Sequence, residues 1–183
     1  LGRSLHTACG LIQQFRAQAV EQHEEQRLDF NVSERLAHLL ENWRERLSAQ
    51  AITLESHIEP DVWQSAYPHA MYQLIYQLIV NALVHGLQSG DDKRLLLDLR
   101  RHKEGDATQL VIIVADNGQG IAPSMIGRVF EPFFSKQLGR DGIGLGLSIV
   151  HSVVTDLMLG QITIAHRQPQ GCVVRLCLPL VLA

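Results

Sequence analysis

Hydrophobic and polar positions predict two helices in the first part of the chain. Over residues 3–27, apolar residues recur at helical spacing and polar residues occupy the opposite face, which predicts a long amphipathic helix. Asn31 or Ser33 is suited to cap a second helix that runs through Leu47. The segment around Asp29 joins the two helices and is the predicted domain boundary.

Strands and further helices are predicted downstream. Ile52–Ile58 alternates as a half-buried strand does. Pro68 then begins a third helix that runs to about Leu87, because proline is tolerated at the first helical position. Further strands are predicted over 94–101, 110–115, 161–167 and 172–178, and a fourth helix over 144–157. This order predicts an α+β fold, with helices on one face of a mixed sheet and a long N-terminal helix before it.

Composition narrows the class of protein. The chain has 183 residues, 46% hydrophobic and 19% charged, which is typical of a globular domain with an appendage. A net charge of -3 with both signs mixed gives no electrostatic case for nucleic-acid binding. Three scattered cysteines favour neither a disulfide framework nor a zinc site, and indicate a cytoplasmic setting. No apolar run approaches the roughly 20 residues that span a bilayer, so we expect no membrane contact here and place any membrane anchor upstream.

The predicted third helix carries a pair of amides. Gln77 and Asn81 are four residues apart and therefore share one polar stripe of the helix. An amide oxygen is a ligand suited to Mg²⁺, which keeps several waters and takes further ligands from phosphates. The alternative is that Asn81 only hydrogen-bonds a neighbouring loop.

An acidic, glycine-rich turn follows the most apolar predicted strand. Asp116 stands at the strand end, where its carboxylate can accept a hydrogen bond from an exocyclic amine such as that of adenine. Gly118 and Gly120 allow the positive φ angles and close approach that a bound ring needs. The alternative is an ordinary acidic turn, which a short sequence of this kind also fits.

Two more motifs follow along the chain. The segment 129–136 is rich in phenylalanine and leads to Lys136 and Arg140, which are able to reach a polyphosphate unless they are only solvated loop charges. In the segment 142–150, glycines alternate with apolar residues as a loop becomes a helix, and backbone N–H groups at such a start suit phosphate oxygens. No Lys-Ser or Lys-Thr follows these glycines, so the motif is not a Walker sequence.

Together, these four motifs resemble a known family. The family includes histidine kinases, the ATPase subunits of type II topoisomerases, Hsp90 chaperones and MutL-type mismatch-repair ATPases. The segment QLIYQLIVNALVH resembles its asparagine box, DNGQGI its first glycine box, FEPFF the phenylalanine box, and GIGLGLSIV its second glycine box. The phenylalanine box and the short lid after it are specific to histidine kinases. The resemblance covers about residues 52–179 and implies a Bergerat-type two-layer α/β sandwich that binds ATP and Mg²⁺.

The resemblance also implies roles for single residues. Asn81, with Gln77, would be the Mg²⁺ ligand, Asp116 the adenine anchor and Lys136 a lid contact; Asn81, Gln77 and Lys136 form the implied catalytic set. The implied nucleotide-binding residues are Asn81, His85, Asp116, Gly118, Gly120, Ile121, Phe130, Gly142, Gly144, Leu145 and Gly146.

The same resemblance predicts domains and partners. Residues 1–28 resemble part of the dimerisation and phosphoacceptor helix of sensor kinases, and residues 29–183 the catalytic ATP-binding domain. The implied reaction transfers the γ-phosphate of ATP to a histidine on a helix outside this chain, and then to a response regulator. The implied assembly is a homodimer of the full-length protein. His6 is followed by Thr-Ala-Cys rather than an acceptor motif, and we interpret it as an ordinary helix residue.

Two departures from the family pattern leave rival hypotheses open. The family often has Asn or Glu where Gln77 stands, and kinases commonly carry Lys or Arg where Val84 stands. These departures allow a degenerate kinase that acts as a nucleotide-sensing or protein-interaction module. Hydrolysis of ATP is a third hypothesis, but the hydrolysing members generally place a Glu at the position of Gln77 to activate water.

Overall fold

The computed structural model describes residues 26–88, 90–134 and 144–181. The predicted helix over 3–27 lies outside these residues except for its last two positions, which are not helical. In chain order the elements are β1 (Leu28–Asn31), α1 (Val32–Ser48), β2 (Ile52–Ile58), β3 (Trp63–Ala66), α2 (Pro68–Asn81), β4 (Lys93–Glu104), β5 (Ala107–Asp116), α3 (Pro123–Ile126), α4 (Gly146–Ser152), β6 (Gln161–His166) and β7 (Cys172–Pro179).

Five strands form one mixed sheet in the order β2-β4-β5-β7-β6. β2 pairs parallel to β4, and the other three pairs are antiparallel. β1 and β3 form a separate antiparallel ribbon. The mixed sheet that the sequence predicts as part of an α+β fold is confirmed.

The helices cover one face of the sheet. Strand residues alternate between faces, so one row across three strands joins Leu97, Val114 and Val174, all of which are buried. These residues belong to the same core cluster as the buried faces of α1, α2 and α4. The predicted two-layer sandwich is confirmed. Within the described ranges, no helix is long and apolar enough to cross a membrane.

The start of α1 settles which residue caps it. The Asn31 side chain accepts a hydrogen bond from the Glu34 N–H at 3.2 Å, as an N-cap does. The Ser33 hydroxyl instead donates to the Glu59 carbonyl at 2.6 Å and accepts from the Val62 N–H at 3.0 Å. Asn31 is therefore the cap, and Ser33 ties the helix to the loop between β2 and β3.

Two helices end in wider, π-helical turns. α2 begins at Pro68 as predicted, is α-helical to Asn81, and continues as a π-turn over Ala82–Gly86. The fourth predicted helix begins at Gly146 rather than at 144, because Gly144 has a φ of 71° and is left-handed. It continues as a second π-turn over Val153–Leu157.

Three short elements were not predicted: β1, β3 and α3. β1 and β3 are four residues each and pair across about 35 positions of sequence, so neither carries a local signal of its own. Contacts from the end of the chain support this ribbon. The Ser65 N–H donates to the Val181 carbonyl at 2.7 Å, and the Gln64 side-chain amide donates to the Pro179 carbonyl at 2.9 Å.

The buried row of the sheet supports a stability prediction. Leu97 is fully buried, so Leu97→Ala leaves a cavity and should lower the free energy of unfolding by about 2–5 kcal/mol. Leu159→Ala is the matched control, because that leucine is 75% exposed and its change should cost little. Urea unfolding of both variants measures the difference, and equal stabilities would contradict the assigned core.

Candidate functional site

Asp116 ends β5 on the inner face of the sheet. It pairs in register with Leu95 of β4 and Cys172 of β7, and it continues the buried row of Ile112 and Val114. Because alternate residues of a strand share a face, its carboxyl group points towards the helix layer. Only 5% of the residue is exposed. A carboxylate therefore lies at the edge of an otherwise apolar core.

The surroundings of Asp116 offset only part of the cost of burying its negative charge. Burial raises the pKa of Asp116 above its usual range. Backbone N–H groups of Gly118 (at 2.9 Å) and Cys172 donate to it, and the charge of Arg167 also favours its ionised form, but these effects offset only part of the burial. Burial, together with the neighbouring Asp116, raises the pKa of Cys172 to about 12, so the thiol stays neutral. The site offers an acceptor with capacity for a further donor.

Close backbone contacts surround this carboxyl group. A Cβ atom at Gly118 would lie 2.0 Å from the Gly86 carbonyl oxygen, and one at Gly86 would lie 2.8 Å from the Asp116 carboxyl. A Cβ atom at Gly171, in the β6–β7 turn, would lie 2.0 Å from the Asp116 carbonyl oxygen. No side chain fits at Gly118 or Gly171 without backbone movement, and a side chain at Gly86 would displace the Asp116 carboxyl group. The end of α2, the loop after β5 and the β6–β7 turn therefore meet at Asp116.

The loop after β5 is held by two polar residues. The Asn117 side chain accepts from the Arg94 N–H at 2.7 Å and donates to the Asp92 carbonyl at 2.6 Å. The Gln119 N–H donates to the Gly86 carbonyl at 3.0 Å. Asn117 thus fixes the loop to the start of β4, and Gln119 fixes it to the end of α2.

The amide pair of α2 faces the start of α4. A Cβ atom at Gly146 would lie 2.3 Å from the Gln77 amide nitrogen and 3.2 Å from the Asn81 amide oxygen. A glycine at this position therefore lets the first turn of α4 lie directly on the polar stripe of α2. The Asn81 amide nitrogen is buried and has no hydrogen-bond partner among the described residues. Such an unpaired group marks a place where a ligand can complete the hydrogen bonding.

The phenylalanine-rich segment contacts the same region. The Phe130 ring lies 5.0 Å from the His151 ring on α4, measured between ring centroids. The Phe133 N–H donates to the Gly144 carbonyl at 3.0 Å. Residues 134 and 144, which border the undescribed segment 135–143, are therefore held close together beside α4.

Most of the predicted site residues lie in three neighbouring segments. Gln77, Asn81 and His85 lie on α2 and its π-turn, where His85 is exposed. Asp116 ends β5 and Gly118, Gly120 and Ile121 follow it, whereas Gly144 and Leu145 lead into α4, which begins at Gly146. Phe130 packs against α4 rather than beside Asp116. Lys136 and Gly142 lie outside the described residues, so their roles stay predictions.

Sequence reasoning missed five residues around Asp116: Gly86, Asn117, Gln119, Gly171 and Cys172. Their contacts depend on the pairing of β5 with β4 and β7 and on the end of a π-turn, and none of these leaves a local pattern. The sequence signal that pointed to this region was the glycine-rich turn itself, residues 116–121.

The arrangement suits a ligand with an amine at one end and anionic groups at the other. Asp116 accepts hydrogen bonds beside the sheet, and the Asn81 amide and the start of α4 lie about one and a half helical turns away along α2. The described residues hold no group of three or more His, Cys, Asp or Glu that forms a metal cage. A nucleotide, with an amine on its base and negative charge on its phosphates, fits this distribution of groups.

Comparison with known proteins points to the same ligand. Residues 66–182, more than half of the chain, match the family model described as histidine kinase-, DNA gyrase B- and HSP90-like ATPase. The two-component sensor PprA of Pseudomonas aeruginosa is 45% identical over 67 residues, covering 37% of this chain and 7% of that protein. The sensor histidine kinase ZraS of Salmonella typhimurium is 33% identical over 79 residues, covering 43% of this chain and 16% of that protein.

Solved structures match over most of the described chain. The nucleotide-free catalytic domain of histidine kinase ThkA has a TM-score of 0.73 at 21% identity and covers 85% of this chain and 96% of that one. The mycobacterial sensor histidine kinase MprB has a TM-score of 0.68 at 25% identity, covering 84% and 97%. The resemblance carried by the four motifs is confirmed. This chain is an ATP-binding domain that belongs to the family of histidine kinase-, DNA gyrase B- and HSP90-like ATPases, and its fold is that of histidine kinase catalytic domains.

Proposed function

We propose that this domain transfers the γ-phosphate of ATP to a histidine on a helix outside the chain, as the catalytic part of a sensor histidine kinase. The proposal is carried by two polar groups that lie beside or on α2 and its π-turn. One is the buried carboxylate of Asp116, and the other is the Asn81 amide nitrogen, which has no hydrogen-bond partner among the described residues. Such transfers depend mainly on positioning and charge neutralisation, so few acid–base residues are needed. The chain spans 7% and 16% of the length of the two sensor proteins compared above.

The base end of ATP would bind at Asp116. Its carboxylate already accepts two backbone N–H groups and can accept a third donor from the exocyclic amine of adenine. Gly118, Gly120 and Ile121 form the loop beside it, and His85 lies at the end of α2 nearby. A buried carboxylate with a raised pKa lowers the stability of the folded chain, which is consistent with a residue kept for binding.

The phosphate end would bind between α2 and α4. Asn81 and Gln77 would hold Mg²⁺ through their amide oxygens, and Gly142, Gly144, Leu145 and Gly146 would contact the phosphates. The unpaired Asn81 amide nitrogen would donate to a phosphate oxygen. Mg²⁺ would take its remaining ligands from phosphate and water. When bound, Mg²⁺ neutralises phosphate charge. Phe130 would line the nucleotide site, and Lys136 would add a further contact to the nucleotide.

The domain arrangement and partners belong to the same proposal. The part of residues 1–28 that precedes the described residues would belong to the dimerisation and phosphoacceptor helix. Residues 29–183 would form the catalytic domain, which also includes Leu28 through its pairing in β1. The full-length protein would be a homodimer that acts in the cytoplasm and passes its phosphoryl group to the receiver domain of a response regulator. The names of the matching relatives, a two-component sensor and a sensor histidine kinase, support this arrangement.

A labelling experiment tests the transfer. The full-length protein, incubated with ATP labelled in the γ-phosphate and Mg²⁺, should acquire a label that is stable in alkali and lost in acid, as phosphohistidine is. Asn81→Ala should reduce the labelling rate by about 100-fold, because charge neutralisation at the phosphates contributes several kcal/mol in such reactions.

Asn42→Ala on the exposed face of α1 is the matched control and should label at the wild-type rate. Steady release of inorganic phosphate without any labelled histidine would contradict phosphotransfer and favour hydrolysis. Nucleotide binding without either reaction would favour a degenerate kinase.

The raised pKa of Asp116 predicts a pH effect on the nucleotide-free protein. An ordinary aspartate has a pKa of 3.8, and the folded state holds the Asp116 proton to higher pH than the unfolded chain. The free energy of unfolding therefore falls as pH rises from 3.8 through the folded-state pKa, and the loss persists above it. Asp116→Asn removes this loss, so its stability relative to wild type should rise as pH increases from 3.8 through the folded-state pKa of Asp116.

Urea unfolding across this pH range measures the difference. Asp106→Asn, an exposed position in the β4–β5 turn, is the control. A stability difference between Asp116→Asn and wild type that stays constant with pH would contradict the assigned burial of the charge.

A further inference from the structure

The end of α2 receives its hydrogen bonds from a distant part of the chain. The last carbonyl groups of a helix have no partner within the helix. In the π-turn, the Ala82 carbonyl accepts from the Leu87 N–H at 2.8 Å. The two carbonyls near its end, those of His85 and Gly86, accept instead from one residue that lies 33 positions beyond Gly86. The Gln119 side-chain amide donates to the His85 carbonyl, and the Gln119 backbone N–H donates to the Gly86 carbonyl at 3.0 Å.

The same loop holds the carboxylate that would bind the base. The Gly118 N–H donates to Asp116, and Gly118 packs on the Gly86 backbone so closely that no side chain fits between them. Asn81 is the last α-helical residue before the turn that Gln119 caps. Asn81 and Asp116 are therefore connected through few residues. The two hydrogen bonds of Gln119 join the loop after Asp116 to the turn after Asn81.

We propose that Gln119 is a positioning residue that holds the base-binding loop and the metal-binding end of α2 in the register that one nucleotide needs. The inference rests on the proposed ATP site and adds a residue to it. Asn117 does not share this role, because its side chain binds Asp92 and Arg94 at the start of β4. Gln119 is the described residue that bonds directly from this loop to the carbonyls of α2.

Substitution of Gln119 removes one part of the link selectively. Its side chain is exposed, so Gln119→Ala deletes the donor to His85 but leaves the backbone bond to Gly86 and the core intact. Gln119→Glu keeps the shape, but it replaces the donor by an anion facing helix carbonyls, which is unfavourable at a helix C-terminus. The loss should therefore be larger for Gln119→Glu than for Gln119→Ala.

Two ligands separate positioning from general damage. Adenosine would need only the Asp116 loop, whereas a non-hydrolysable ATP analogue with Mg²⁺ would need both ends of the site. We expect Gln119→Ala to weaken the Mg²⁺–ATP analogue by roughly three- to tenfold and adenosine by less than about twofold. NMR titrations in the full chain measure both affinities, and thermal melts confirm that each variant is folded.

Gln88→Ala is a closely matched control. The Gln88 side chain also donates to a carbonyl at the end of α2, that of Val84, but it belongs to the segment that follows α2 and makes no link to the base-binding loop. Its substitution should leave both affinities at the wild-type values. An equal loss in Gln88→Ala would show that helix capping alone matters and would overturn the positioning role.

The outcomes also distinguish this inference from the proposed function. If the wild-type chain binds neither ligand, the ATP site itself is wrong. If the wild type binds both ligands and Gln119→Ala binds them equally well, the site stands and the positioning role is overturned. An equal loss of both ligands in Gln119→Ala also overturns it, because the base-binding loop alone would then be affected.

Discussion

The burial of one carboxylate at the end of the central strand governs the rest of the site. Asp116 continues the apolar inner row of β5, so the alternation of the strand that builds the core also directs this charge into it. Burial favours the protonated form, and two backbone N–H groups and a nearby arginine only partly restore the ionised one. A folded chain without ligand therefore carries an acceptor that is not fully satisfied.

This constraint explains the glycines around the site. Gly86 and Gly171 approach Asp116 within distances that exclude a Cβ atom, and Gly118 approaches the Gly86 backbone equally closely. The mutual contact excludes water from much of the carboxyl group and also connects the sheet to the end of α2. A similar contact recurs where Gly146 lies on Gln77 and Asn81. The proposed base-binding and phosphate-binding ends thus both lie at close contacts made by α2 and its π-turn.

The sequence was sufficient for elements whose signals are local. Pro68 marked the start of α2, and the alternation of Ile52–Ile58 matched β2. The motifs around Asn81 and Asp116 predicted the two ends of the proposed site, because glycine, amide and carboxylate positions there carry chemistry of their own. The long buried strands likewise predicted a mixed sheet covered on one face.

Long-range contacts could not be predicted in the same way. The ribbon of β1 and β3 exists because two four-residue segments pair with each other and with the chain end. The role of Gly171 depends on the register of β7 against Asp116, and that of Gln119 on its hydrogen bonds to the His85 and Gly86 carbonyls at the end of a π-turn. The helix over 3–27, Lys136 and Gly142 stay predictions, because they fall wholly or almost wholly outside the described residues.

The central claim is that ATP binds along α2, with its base at Asp116 and its phosphates at Asn81. Calorimetric titration of a non-hydrolysable ATP analogue, with and without Mg²⁺, tests this most directly. Wild type should bind more tightly with Mg²⁺; Asp116→Ala should weaken binding by about 100-fold in both conditions, and Asn81→Ala should remove only the gain from Mg²⁺. Asp106→Ala is the exposed control. Unchanged binding by Asp116→Ala, or no binding by a well-folded wild type, would contradict the account.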